Sequence, residues 1–347
     1  MKKKSLSAKK IIHKKLLSYL KDPIVKKVYS EFCKILKNYI KSNKISVAVS
    51  GGPDSLALTY LSKCYSITNN AKIKFYHVNH NLRNESGFES KKLKSFLKKF
   101  DINCQILEWR GKKPSVNIQS VARKKRYSLI YDRSSKDKIK YLLLAHHLDD
   151  VFENFLMRLL RGSGLKGLVS FNKVKTNYND KLKILRPLIV HKKIDLSYTA
   201  NKVFNFKFED PSNKNINFKR IRIRNLIQNL KSEGLNLEKL RLTISNLSDS
   251  NLTVNHYVIQ NIKCNSKYNN KKKNYILNED FFNQPHEIVF RSLTNLLKKT
   301  GNKYYSPRGK SVSQLLSKLR SGEIKKINIS GCILEKINNS FIIYEEK

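Results

Sequence analysis

The first half of the chain alternates between two hydrophobic periods. Residues 45–49 form a short β-branched run that stops at Ser50-Gly51-Gly52-Pro53-Asp54-Ser55, and helical spacing resumes at Leu56, Ala57 and Leu58. This predicts a strand over 45–49 and a helix over 55–66. The same alternation predicts strands over 72–79, 104–109 and 141–145. Helices are expected over 89–100, over 118–134 and from Leu148 to about Leu160. Ahead of them, residues 10–42 read as one or two basic amphipathic helices broken near Asp22-Pro23. Such β-α alternation predicts an α/β fold, a doubly wound and largely parallel sheet. In that architecture ligands sit outside the carboxyl ends of the strands. The segments 50–55 and 146–150 both follow strands, so they are expected on one rim.

Beyond about residue 170 the pattern weakens. The Asn-Lys stretches 172–183 and 265–274 read as loops or linkers, and 225–262 is helical in pattern. A short helix is expected over 311–319, then strands over 326–330, 332–337 and 341–345. The last two suit a hairpin across Asn338-Asn339. The expected organisation is a basic helical extension (1–42), an α/β domain (43–232), a helical linker region (233–275) and a small C-terminal α+β domain (276–347).

Composition narrows the function. Among 347 residues, 71 Lys and Arg face 26 Asp and Glu, a formal charge of +45. Lysines spread over a solvated surface, or a biased codon supply, produce some excess. This one is far beyond the magnitude of about 2–8 that keeps a small domain soluble, and it points to a polyanion such as nucleic acid. If six to ten phosphates are engaged, affinity should fall by roughly 10³–10⁵ between 50 and 200 mM salt. Five cysteines, Cys33, Cys64, Cys104, Cys264 and Cys332, are scattered, and no two form a CxxC pair. That argues against a disulfide framework, a zinc ribbon or an iron–sulfur site and suits a reducing compartment. The opening MKKKSLSAKK is basic, but His13, Lys14 and Lys15 break up the apolar residues after it and no signal-peptide core forms. No run approaches the roughly 18 apolar residues of a membrane span. The expectation is a soluble, cytoplasmic protein with no membrane partner.

Three constellations carry chemistry. The first is the glycine turn. A strand, two adjacent glycines and a helix start bring backbone N–H groups onto an anion, and glycine admits a phosphate that a Cβ would block. It is not a Walker A loop, because the Gly-Lys-Ser/Thr ending is missing. The string Ser50, Gly51, Gly52, Pro53, Asp54, Ser55 resembles the SGGxDS pyrophosphate loop of the PP-loop ATPases.

The second is Ala145-His146-His147-Leu148-Asp149-Asp150, running on as VFENFLMRLLRG. Leu148, Val151, Phe152, Phe155, Leu156, Leu159 and Leu160 form one apolar stripe. Asp149, Asp150, Glu153 and Asn154 lie off it. Acidic residues at a helix start also cap the helix and complement its dipole. Placed beside a phosphate loop, these carboxylates suit Mg²⁺ binding or base catalysis. His146 and His147 are zinc-ligand types, but no third ligand accompanies them. The following Gly162-Ser163-Gly164-Leu165-Lys166-Gly167 matches a dinucleotide fingerprint by letter only. It comes after a helix rather than a strand, so Gly162 is read as a helix C′ residue.

The third is basic: Arg220, Arg222 and Arg224 after the turn signal Glu209-Asp210-Pro211-Ser212-Asn213. If extended, these arginines share one face. If helical, they spread around it. Arg suits phosphate contacts, and a solvated basic helix is the plain alternative. Arg123, with Arg126 and Tyr127, stands on the helix after the third strand. His77 and His80 flank the end of the second strand, where the chain is able to contact adenine.

In this order, VAVSGGPDSLAL, HVNHNLR, ARKKRY, AHHLDDVFENFLMRLLRGSGLKGL, ILRPLI and EDPSN resemble the bacterial tRNA(Ile)-lysidine synthetases, over roughly residues 45–224. Tyr305-Ser306-Pro307-Arg308 and Ile329-Ser330-Gly331-Cys332 resemble the ending of some members. The family usually has Asp where Asn215 stands and Asn where Ile221 stands, while Arg220, Arg222 and Arg224 keep the basic character of the segment. The resemblance implies ATP as co-substrate, Mg²⁺, free L-lysine and an isoleucine tRNA with a CAU anticodon. It implies that a wobble cytidine is adenylated through its C2 oxygen and that the lysine ε-amine then displaces AMP. It assigns ATP binding to Ser50–Ser55 and His77. Catalysis or metal binding falls to Asp54, Asp149 and Asp150, and stabilisation of the intermediate to Arg123. Substrate or tRNA contacts fall to His147, Glu153, Arg161, Arg220, Arg222 and Arg224, and further tRNA contacts to the C-terminal domain. The rival readings are a tRNA thiolase of the same fold, a small-molecule ligase, and a non-catalytic RNA-binding protein. Oligomeric state is not legible.

Overall fold

The central strand is Lys44–Ala48, whose Ile45 and Val47 are almost wholly buried. The computed structural model describes residues 2–42, 44–111, 118–171, 174–176, 182–205, 219–303, 306–321 and 325–346. It divides into two units, Met1–Asn236 and Leu237–Lys347. In chain order the first unit runs α1 (Lys2–Ser18), α2 (Pro23–Tyr39), β1 (Lys44–Ala48), α3 (Pro53–Asn69), β2 (Lys72–Asn79), α4 (Ser86–Lys98) and β3 (Cys104–Glu108). It continues with α5 (Ile118–Lys136), β4 (Tyr141–Leu143), α6 (Leu148–Leu159), α7 (Leu165–Leu168), β5 (Val174–Thr176), β6 (Lys183–Leu185), α8 (Lys193–Phe204) and α9 (Lys219–Ser232).

The sheet order is β3-β2-β1-β4-β6-β5. β1 pairs in parallel with β2 (Val47 opposite Phe75) and with β4 (Val47 opposite Leu143). Only β5 is antiparallel. The chain therefore reverses its direction of travel across the sheet between β1 and β4, the switch point where α/β sheets open a crevice. Alternate residues of β4 serve opposite faces. Tyr141 and Leu143 join the larger core with Leu56, Leu58 and Leu61 of α3 and Leu196 of α8. Leu142 packs with Tyr76 and with Ile130 of α5. Leu16, Val25, Val28, Phe32 and Leu36 lie in the larger core too. The first 42 residues thus pack as part of this unit.

Two segments expected as loops carry strands. β5 and β6 fall within 172–183 and just past it, and β7 (Ser266–Asn269) occupies 265–274 with the start of β8 (Asn274–Leu277). These strands are three or four residues long and rich in Lys and Asn, so sheet pairing rather than local preference makes them. The motif EDPSN and Asn215 lie outside the described residues.

In the second unit α10 (Leu237–Asn265) leads into β7 and β8, then α11 (His286–Thr300), α12 (Gly309–Arg320), β9 (Lys326–Ile329), β10 (Cys332–Ile337) and β11 (Ser340–Glu345). The sheet order is β7-β8-β11-β10-β9, antiparallel throughout. β10 and β11 form the expected hairpin, with Asn338 at a φ of 51°. Leu277, Phe281, Val289, Leu293, Leu315 and Ile343 fill its core. Among the described residues, no helix is long and apolar enough to cross a membrane.

One half-buried carboxylate ties α1 and α3 to the turn before β3. Asp101 accepts from Lys63 Nζ at 2.6 Å and lies 2.8 Å from His13 Nε2 and 3.4 Å from Lys9 Nζ. Burial alone would raise its carboxyl, but the bonds from Lys63 and His13 outweigh that and hold it at about 2. Since the folded value lies below the unfolded one, this stability is present above about pH 4 and is lost as pH falls towards 2. Asp101→Asn is expected to cost about 2–3 kcal/mol, because it leaves the buried Lys63 without its carboxylate. Chemical denaturation at pH 7 and pH 3 checks this, since the penalty should shrink at pH 3.

Candidate active site

The glycine turn after β1 is closed from within. The Ser50 N–H donates to Ser55 Oγ at 2.7 Å, and Ser55 is buried. Gly51 sits at a φ of 93°, a conformation that side chains disfavour. Gly52 precedes α3 in extended conformation, and Pro53 takes the first helical position. Leu56 N–H bonds Gly52 O, so the Asp54 and Ser55 amides face out of the helix end. The loop has the outward-facing amides that suit an anion, with a carboxylate, Asp54, on its rim.

α6 follows the adjacent strand β4 and places its start beside that turn. His147 lies at the centre, only 4% exposed. Its Nε2 is 3.5 Å from Asp54 Oδ2 and 3.6 Å from Asp150 Oδ2, and its Nδ1 is 3.4 Å from Asp149 Oδ2. These are ion-pair rather than hydrogen-bond distances. Burial would lower the imidazole's pKa, but Asp149, Asp54 and Asp150 together raise it to about 10, so it is an imidazolium at neutral pH. In return His147 holds Asp149 at about 2. Asp150 Oδ2 also accepts the His147 N–H at 3.1 Å and caps the helix. The capping role of these carboxylates and their gathering at the site therefore coexist.

The neighbouring histidine takes the opposite charge state. Burial pushes His146 down to about 3, and its neutral Nδ1 lies 3.3 Å from Arg186 Nε. Arg186 is 5% exposed and stacks over Phe171 at 4.6 Å. Sequence reasoning missed it. Its signal was a single charge inside the apolar run Ile184-Leu185-Arg186-Pro187-Leu188-Ile189. The turn it opens also braces α6. His191 O accepts the Leu148 N–H at 2.9 Å, and the Lys193 N–H donates to Asp149 Oδ2 at 3.1 Å.

Around these lie the arginines. Arg123 stacks over Tyr127 at 5.4 Å, as does Arg126 at 5.7 Å. Arg123, Arg186 and Arg220 are all near enough to oppose protonation of His146. α9 is helical, so Arg220 and Arg224, four residues apart, share a face and Arg222 does not. Arg224 Nε donates to Glu153 Oε1 at 2.5 Å, and Arg220 Nε lies 3.8 Å from Glu153 Oε2. Arg222 is exposed on another side of α9. Glu153, 2% exposed, is thus the anchor of α9 on α6. Arg161 is exposed beyond the end of α6, about 18 Å along the helix from Asp149. There Gly162 N–H bonds Leu159 O and Ser163 N–H bonds Arg158 O around a φ of 65° at Gly162, the Schellman pattern expected of a C′ glycine. His77 uses both ring nitrogens inside the fold, at 2.9 Å from Val49 O and 3.0 Å from Ser90 Oγ.

The donor set suits a hard cation. Asp54 Oδ1 is buried without a hydrogen-bond partner, and the carboxylates of Asp54 and Asp150 approach the same His147 nitrogen. Among the described residues no group of three side chains stands ready as a metal cage. Mg²⁺ is commonly held by one or two carboxylates plus substrate phosphates, which this arrangement provides.

Residues 24–230 match the PP-loop domain family. The chain is 32% identical over 314 residues to a tRNA(Ile)-lysidine synthase of Wolbachia sp. subsp. Brugia malayi, covering 88% of this chain and 72% of that one. A tRNA(Ile)-lysidine synthase of Orientia tsutsugamushi is also 32% identical, over 87% of this chain and 70% of its own. Among solved structures, the U34-tRNA thiolase NcsA of Methanococcus maripaludis superposes with a TM-score of 0.55 at 19% identity. That match covers 65% of this chain and 79% of the thiolase, and shares the fold alone.

Proposed function

The chain belongs to the tRNA(Ile)-lysidine synthases, built on the PP-loop domain, and from that premise we propose how its residues carry out ATP-dependent ligation of lysine to tRNA. The carrying observation is that the carboxylates of Asp54, in the glycine turn, and of Asp149 and Asp150, at the start of α6, converge within 3.4–3.6 Å of the one buried ring of His147. The tRNA is an isoleucine tRNA with a CAU anticodon, the amine is that of free L-lysine, and the reaction runs in the cytoplasm.

In the first step the C2 oxygen of the wobble cytidine attacks the α-phosphorus of ATP, and pyrophosphate leaves. The backbone amides of Gly51, Gly52, Asp54 and Ser55 receive the leaving charge, fixed in place before the reaction begins, while the Ser50 N–H holds the turn closed on Ser55 Oγ. Arg123 neutralises the phosphate of the adenylated base. Asp54, whose Oδ1 has no hydrogen-bond partner, would hold Mg²⁺ together with the substrate phosphates, and the ion would supply charge neutralisation there. In the second step the lysine ε-amine attacks C2 and expels AMP. Free lysine is mostly protonated at neutral pH, with a reference value of about 10.4, so a carboxylate must orient it and take its proton. Asp149, held at about 2, is a weak base and a lasting negative charge, suited to drawing in the ammonium. The proton-accepting role falls to Asp150. His147 keeps the carboxylates from repelling one another before substrates bind.

Sulfur transfer, the rival on this fold, finds no partner here. The five cysteines are free and dispersed, and burial pushes the thiols of Cys64 and Cys104 up to about 12. Incubation with ATP, labelled lysine and tRNA bearing a CAU anticodon tests the reading. Label should enter tRNA with one AMP per lysine. ATP turnover without lysine incorporation would exclude it.

A further inference from the structure

We infer that α1 is an additional tRNA-docking element, whose outer face grips the phosphate backbone. This rests on tRNA being the substrate. The match to the PP-loop domain spans residues 24–230, so α1 lies outside the matched residues. The first 21 residues hold eight lysines and no acidic residue. The inner face of α1 accounts for little of this charge. Leu16 is buried in the core, Lys9 and His13 turn to Asp101, and Leu16 O accepts from Tyr60 Oη at 3.1 Å. These contacts fix the helix rigidly on the first unit.

Outside that anchor, Lys10, Lys14 and Lys21 are exposed and border one open groove with His13, Leu17 and Ser18. None of the three lysines has an acidic partner within 4 Å among the described residues, whereas Lys63 and Lys202 are paired. Asp101, the carboxylate that α1 reaches, already serves Lys63. Lys21 ends the 3₁₀ turn Tyr19–Lys21 that follows α1, so from Lys10 to Lys21 the rise along the chain is about 18 Å, long enough to follow several successive phosphates. A rigid row of uncompensated ammonium groups beside a groove is complementary to a polyanion backbone and carries no base selectivity. The prediction is a contribution to affinity and register, not to chemistry.

The test compares two triple variants of the full chain. Lys10→Gln, Lys14→Gln, Lys21→Gln removes the groove charge. Lys91→Gln, Lys92→Gln, Lys98→Gln removes the same charge from the exposed side of α4. Binding of tRNA is measured from 50 to 300 mM salt. The α1 variant should weaken binding roughly tenfold or more near 100 mM and flatten the slope of log affinity against log salt by about two to three. At saturating tRNA its kcat and its KM for ATP should stay unchanged. The α4 variant should shift affinity less than threefold.

Equal effects of the two variants would reduce α1 to bulk charge and overturn the inference. So would an unchanged salt slope, or lost binding to phosphatidylserine vesicles with tRNA binding intact. If the wild type binds tRNA but incorporates no lysine, the functional reading fails, while the comparison of slopes still decides the role of α1.

Discussion

Asp54→Asn is expected to lower lysine incorporation by roughly 10²–10⁴-fold, the range for losing a group that acts on charge or protons in the transition state. The change is isosteric, and Asp54 is a quarter exposed, with His147 as its ion-pair partner, so the fold should survive. Asp150→Asn should fall in the same range, since it removes both the second carboxylate on His147 Nε2 and the assigned base. Asp149→Asn should cost less. An amide oxygen still accepts the Lys193 N–H that braces α6, and only the fixed negative charge is lost. Steady-state kinetics with saturating ATP, lysine and tRNA, together with a melting curve for each variant, gives the ranking. Turnover within threefold of wild type for both Asp54→Asn and Asp150→Asn would mean that the chemistry happens elsewhere.

Arg224→Ala should be the most damaging single change to stability. Glu153 is 2% exposed, and Arg224 is its close partner, at 2.5 Å. Removing the guanidinium leaves a carboxylate in a low-dielectric interior, a loss of about 3–5 kcal/mol for a fully buried pair. Arg224 is itself 37% exposed and Arg220 lies near, so about 3 kcal/mol is the expected value. In a unit of this size that is a fall in Tm of roughly 6–12 °C. The double variant Glu153→Gln, Arg224→Ala should recover much of it, because a neutral amide is far cheaper to bury. If the single and double variants melt together, Glu153 is not a charged anchor. The pair docks α9 against the helix that carries Asp149 and Asp150.

The candidate site divides along the same lines. The six-residue turn Ser50–Ser55 and the α6 start were legible because their geometry is local. A strand ending in two glycines and a proline admits few backbone paths, and an amphipathic stripe fixes which way a helix faces. Arg186, the bracing turn before Lys193 and the Glu153 anchor were not legible as such. Each depends on a partner 40 or more residues away: Arg186 on His146, Lys193 on Asp149, Arg224 on Glu153. The paired histidines show this most sharply. In sequence they are equivalent, yet one is held neutral by burial and its arginine neighbours, the other charged by three carboxylates.

By itself the sequence determined the α/β alternation, the glycine turn, the excess of positive charge and the residue types proposed for the chemistry. Those come from periodicity, backbone freedom and side-chain type, which are properties of neighbours along the chain. Tertiary structure alone decided that β1 and β4 lie side by side, so that Asp54 meets Asp149 and Asp150 around His147. It also decided that short Lys- and Asn-rich segments become strands. Strand order and the field at a buried group are sums over distant parts of the chain, and no local window contains them.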